Sequence, residues 1–167
     1  MRVYTYVVVE DEDLLRNSLM KKITNLSLPL KLRGTADNGA DGLEPIGKVY
    51  PDIVLLDIMM PVMDGMEMAE KIHARYPEIK MIIVTGYSDF ELARQAIRFG
   101  VKEYMLKPID IKELQDTLLR VLAELKGEDG IADREVRREY VIRQIRAEGS
   151  SQNASKEAIA GLVKQYL

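Results

Sequence analysis

At 167 residues and a formal net charge of −3, the chain has room for one domain, or for one domain and part of a second. With 47% apolar and 31% charged residues it is expected to fold and stay soluble, and no apolar run approaches the roughly 18 residues of a membrane span. The absence of cysteine, the single histidine (His73) and the acidic balance exclude a disulfide framework, a thiol nucleophile, Cys-ligated zinc, a multi-His metal site and a generally basic nucleic-acid binder.

Along the chain, Val3–Val9 is predicted as a strand, with the run Val7-Val8-Val9 buried on both faces. Leu15, Leu19, Ile23 and Leu26 recur at helical spacing and predict a helix from about Glu12 to Asn25. Leu30–Thr35 reads as a second strand and Gly39–Tyr50 as a weaker helix, which Pro45 should kink or shorten. Ile53–Leu56 is a buried strand ending at Asp57, followed by a helix over Gly65–Arg75 that Tyr76-Pro77 stops. Met81–Val84 is the fourth strand. The next helix, Phe90–Phe99, is capped by Asp89 and closed by Gly100. Val101–Leu106 is the fifth strand, and after Lys107-Pro108 a helix runs from Ile111 to about Leu125.

Five βα units of this kind imply an α/β fold, a doubly wound parallel sheet with helices on both faces and right-handed crossovers. Residues 1–126 form this domain and 127–132, with Gly127 and Gly130 interrupting the last helix, a linker. Residues 133–167 form a partial helical segment, with Ile159, Leu162, Val163 and Tyr166 on one stripe. The five arginines from Arg134 to Arg146 are interleaved with acids, leaving residues 133–148 at +1, so a solvated face is expected there and not a grip on DNA. The acidic excess lies in residues 1–132, with 17 basic and 22 acidic groups.

Ligands of such sheets bind at the carboxyl ends of the strands. Those ends carry Glu10-Asp11-Glu12-Asp13, Asp57, Thr85 and Lys107. A strand order of 2-1-3-4-5 would bring Glu10, Asp11 and Asp57 together. Two carboxylates about 4 Å apart repel by about 4 kcal/mol at an effective dielectric near 20, so three of them call for a cation. An all-oxygen donor set without His or Cys selects Mg²⁺ or a similar hard ion. A carboxylate beside Mg²⁺, with a lysine and a hydroxyl opposite, has the parts for phosphoryl transfer, and Asp57, in the middle of the edge, is the nucleophile. Taken singly, each acid is as well explained by a solvated turn; their convergence points to chemistry. His73, flanked by charged residues, reads as helix surface. The methionines at 59, 60, 63, 66 and 68 read as filling around a loop.

The stretches Val8-Val9-Glu10-Asp11-Glu12, Asp52 through Asp57 to Asp64-Gly65, and Lys107-Pro108 resemble the receiver domain of two-component response regulators over about residues 3–126. The resemblance implies a flavodoxin-like (βα)5 fold and a cytoplasmic phosphoacceptor signalling domain, not an enzyme beyond assisting its own phosphorylation and dephosphorylation. It implies Asp57 as the phosphoacceptor and Glu10, Asp11, Asp57 and the backbone carbonyl of Met59 as Mg²⁺ ligands. Lys107 is implied to contact phosphate, Thr85 and Tyr104 to form a switch pair, and the Lys107–Pro108 peptide to be cis. The implied partner is a sensor histidine kinase, with a homodimer left open. Thr85-Gly86-Tyr87-Ser88-Asp89-Phe90-Glu91 and Gly100-Val101-Lys102-Glu103-Tyr104 are similar to receivers of the YesN/AraC type. Those carry a pair of helix-turn-helix units, so DNA would be reached only through a domain absent from this chain, which is expected to be part of a longer regulator. Asp13 and Pro45 depart from the family pattern away from the chemistry.

Three other functions share parts of this pattern. A flavin carrier of the same fold would need a hydroxyl- and glycine-rich loop where this chain has four acids. A hydrolase of the haloacid dehalogenase class expects a second Asp where Met59 stands. A pseudo-receiver, binding partners without phosphorylation, is the alternative that keeps every other feature.

Overall fold

In the computed structural model, which describes residues 2–128, five short runs of aliphatic residues form one parallel sheet. They are β1 (Tyr4–Val9), β2 (Leu30–Ala36), β3 (Ile53–Leu56), β4 (Lys80–Thr85) and β5 (Glu103–Leu106). The helices between and after them are α1 (Asp13–Asn25), α2 (Gly39–Val49), α3 (Gly65–Arg75), α4 (Phe90–Arg98) and α5 (Ile111–Glu128). The strand order is β2-β1-β3-β4-β5, the predicted flavodoxin-like arrangement. By compactness the chain divides after Leu122, and α5 runs past that division.

Alternation along the strands builds two layers of core. Val7, Val9, Val54, Leu56, Met81 and Ile83 face one way and pack with Ile46 of α2 and Met68, Ala69 and Ile72 of α3. Val8, Leu55 and Ile82 face the other way, where α1 and α5 bury Leu19, Ile23, Leu114 and Leu118. The central strands β3 and β4 are buried at every position, as a sheet covered on both faces requires. The edge strands are more open: Lys31, Leu32, Arg33 and Thr35 of β2 are exposed, as is Leu106 of β5.

Two expectations are corrected. Of the kink or shortening expected at Pro45, the shortening does not occur: α2 runs unbroken through it to a left-handed cap at Tyr50 (φ 49°). An interior proline costs about 3 kcal/mol, and burying one aliphatic side chain returns about 1.5–3 kcal/mol. Ile46 is fully buried, and Leu43 packs against the same core. Tertiary packing therefore offsets the missing hydrogen bond. Gly127 likewise does not interrupt α5, which continues to Glu128. A lone glycine in a helix costs only about 1 kcal/mol relative to alanine. Gly130, the linker over 129–132 and the helical segment expected over 133–167 lie outside the described residues. Among the described residues no helix is long and apolar enough to cross a membrane.

Candidate functional site

Neighbouring strands end together, and that places the acids. Val9 pairs with Leu56 across β1 and β3, so the next residues, Glu10 and Asp57, emerge side by side. The Asp57 amide donates to the Val9 carbonyl at 3.0 Å, and the Lys107 amide donates to the Thr85 carbonyl at 2.8 Å, carrying the pairing just past the strand ends. Glu10 and Asp57 are buried, at 4% and 6% exposure. One carboxylate oxygen each from Glu10, Asp11 and Asp57 lies within 4.8 Å of the others.

Lys107 bridges the acids. Its Nζ donates to Glu10 Oε2 at 2.7 Å and to Asp57 Oδ2 at 3.0 Å. The other Asp57 oxygen, Oδ1, accepts from the Ile58 amide at 2.7 Å, and Glu10 Oε1 accepts from the Glu12 amide at 3.2 Å. Burial pushes the Glu10 carboxyl above the usual carboxylate range, and the Asp57 charge adds to this against the hydrogen bond from Lys107. Burial pulls the Lys107 ammonium down, but its hydrogen bonds and charge pairing with Glu10 and Asp57 win, and its pKa rises. One ammonium does not balance three carboxylates. The oxygen-only donor set, the negative excess and the short oxygen separations fit a hard divalent cation.

The turn after β3 is held by contact with Asp57 itself. Gly65 donates its amide to the Ile58 carbonyl at 2.8 Å, and a Cβ at position 65 would sit 1.9 Å from the Asp57 carbonyl oxygen. Only glycine allows this approach. Asp64 then caps α3, accepting from the Glu67 amide at 2.8 Å. Within the loop, Met59 is 53% exposed, whereas Met66 and Met68 are buried and Met60 and Met63 pack partly against the core.

Thr85 and Tyr104 meet at a residue that sequence reasoning missed. The buried Thr85 hydroxyl accepts from the Tyr87 amide at 3.3 Å, and the Tyr104 hydroxyl donates to the Tyr87 carbonyl at 2.7 Å. Burial, with the charges of Asp89 and Asp57, raises the Tyr104 pKa. Tyr87 takes part through its backbone, which no residue type announces. The Lys107–Pro108 peptide is cis. His73 stands exposed on α3, away from the strand ends, beside Gly100, whose φ is +73°.

The family model for the response regulator receiver domain matches residues 6–119. The transcriptional regulatory protein YesN of Bacillus subtilis is 35% identical over 127 residues, covering 76% of this chain and 34% of that protein. The DNA-binding transcriptional regulator NtrC of Escherichia coli is 37% identical over 106 residues, covering 64% of this chain and 22% of its own length. The chain thus spans about a third or less of these two regulators. The REC domain of AraT, a response regulator from Geobacillus stearothermophilus, matches with a TM-score of 0.71 at 29% identity, over 76% of this chain and 98% of that one.

Proposed function

This chain belongs to the response regulator receiver family, and from that membership we propose that Asp57 accepts a phosphoryl group from a sensor histidine kinase in a Mg²⁺-dependent reaction. The observation that carries the reading is the Lys107 ammonium bridging Asp57 and Glu10, with Asp11 beside them. An Asp57 carboxylate oxygen forms a bond to phosphorus while the bond from phosphorus to the imidazole nitrogen of the donor breaks. The electron pair of that bond stays on the ring nitrogen, which takes up a proton. Glu10, Asp11, Asp57 and the backbone carbonyl of Met59 are the residues that would hold Mg²⁺. Bound there, the ion would neutralise charge on the phosphoryl oxygens. Lys107, bonded to Asp57 Oδ2, would meet the incoming negative charge, and the Ile58 amide, bonded to Oδ1, would orient the attacking carboxylate.

The product offers a new acceptor to Thr85. A hydroxyl that already accepts from the Tyr87 amide still has its proton to donate to a phosphoryl oxygen. Tyr104 holds the other end of Tyr87, so a shift of Thr85 reaches the β4–α4 loop and the Tyr104 ring together. We read this as the switch that alters a surface and, through a DNA-binding region outside this chain, the activity of a cytoplasmic transcription regulator. Intact mass after incubation with a small acyl phosphate tests the reading. One phosphate is expected on the wild type with Mg²⁺, and none on Asp57→Asn or in excess chelator. No gain on the wild type would leave the phosphorylation-independent interaction module in its place.

A further inference from the structure

We propose that Arg16 is a positioning residue for the acidic pocket, clamping the turn after β1 in the shape that presents Glu10 and Asp11 to a divalent cation; the proposal rests on the Mg²⁺-dependent reading above. Arg16 is the fourth residue of α1, and its side chain reaches back over the turn that precedes the helix. Nη1 donates to the Glu10 carbonyl oxygen at 2.8 Å, and Nη2 pairs with the Asp13 carboxylate. The Arg16 side chain is only 16% exposed, against 79% for Asp13. One planar fork therefore ties the carbonyl just after β1 to the first residue of α1, with Asp11 and Glu12 held between.

Glu10 is gripped on both sides of its backbone. Its amide donates to the Ala36 carbonyl of β2 at 3.0 Å, and its carbonyl accepts from Arg16. The need for a clamp is specific to this helix start. Asn38, Asp64, Asp89 and Asp110 accept with their side chains from the first-turn amides of α2, α3, α4 and α5. At α1 the N-cap Glu12 makes no side-chain cap. This is also the turn whose acids repel one another and Asp57, so an unclamped backbone would relax away from the pocket. Arg16 makes its hydrogen bonds to backbone and to Asp13, so it acts on the metal site through geometry.

Charge and geometry predict opposite signs, and this makes the proposal testable. Deleting a nearby cation should tighten binding of another cation if only the field matters. Deleting a clamp should weaken it. Titration calorimetry of the full chain with Mg²⁺ alone should show Arg16→Gln weakened about tenfold, the usual cost of losing a group that orients metal ligands. Arg16→Lys keeps the charge but offers a point donor in place of the fork, so its affinity should fall between the two. Unchanged or tighter binding in Arg16→Gln, with a folded amide spectrum, would overturn the proposal. If that variant does not fold, Arg16→Lys decides, and wild-type affinity in it would overturn the clamp. A wild type binding Mg²⁺ no better than Asp11→Asn would remove the metal-dependent reading itself, and the clamp with it.

Discussion

Lys107 is the pocket's own counterion, and this gives it a measurable effect on stability. Its ammonium sits at 2.7 Å from Glu10 and 3.0 Å from Asp57, both nearly buried, while its own side chain is 17% exposed. Breaking a fully buried ion pair from one side costs about 3–5 kcal/mol, and partial exposure here reduces this to about 1–3 kcal/mol. Lys107→Gln should lose that amount in urea unfolding with chelator present. Saturating Mg²⁺ should restore most of it, because a divalent ion replaces the lost positive charge between the same carboxylates. A loss that Mg²⁺ leaves untouched would mean that Lys107 matters for packing and not for charge. The acids and the lysine were legible as residue types at strand ends. Tyr87 and Arg16 were not: one acts through its backbone, and the other's long side chain leaves its contacts to the folded turn.

At the scale of elements, the approach of α3 to β3 is set by one atom's absence. Gly65 opens α3 with its backbone against the Asp57 carbonyl, where an added Cβ would be 1.9 Å away. Neither backbone can yield without moving Asp57 or the helix. Gly65→Ala should destabilise by about 1–3 kcal/mol, toward the upper end because the clash is with main chain, and should lower the rate of Asp57 phosphorylation as well. Thermal unfolding and intact mass against time measure the two effects. A variant as stable as the wild type would show that the loop has room to adjust. The helix and strand runs were readable from periodicity to within a few residues. α2 continues through Pro45 because local propensity carries no information about what a helix packs on, whereas the exposed Gly127 is simply too small a cost to end α5.

For the molecule as a whole, the phosphoryl group proposed for Asp57 would be felt beyond the pocket through β4 and β5. Thr85 ends β4 and Tyr104 lies in β5, and their hydroxyls meet the amide and the carbonyl of Tyr87. Thr85→Ala should leave phosphorylation of Asp57 largely intact while weakening the response of the β4–α4 loop and α4. Amide spectra with and without a phosphate mimic check this. Equal shifts in Thr85→Ala and wild type would refute the coupling. Residues 133–167, with 7 basic and 5 acidic groups, remain in our proposal a linker toward a domain outside this chain.

Alternating βα runs and strand-end acids were enough for the sequence to determine a doubly wound sheet with an acidic edge that could hold a metal ion. Burial pattern and the chemistry of strand termini are local properties, and both are written in residue order. Tertiary structure alone decided which carboxylates Lys107 bridges, that Tyr87 joins Thr85 to Tyr104, and that Arg16 closes the turn after β1. These depend on where backbone atoms and long side chains arrive after the strands are in register. The separation of 97 positions between Glu10 and Lys107 carries no local signal of that meeting.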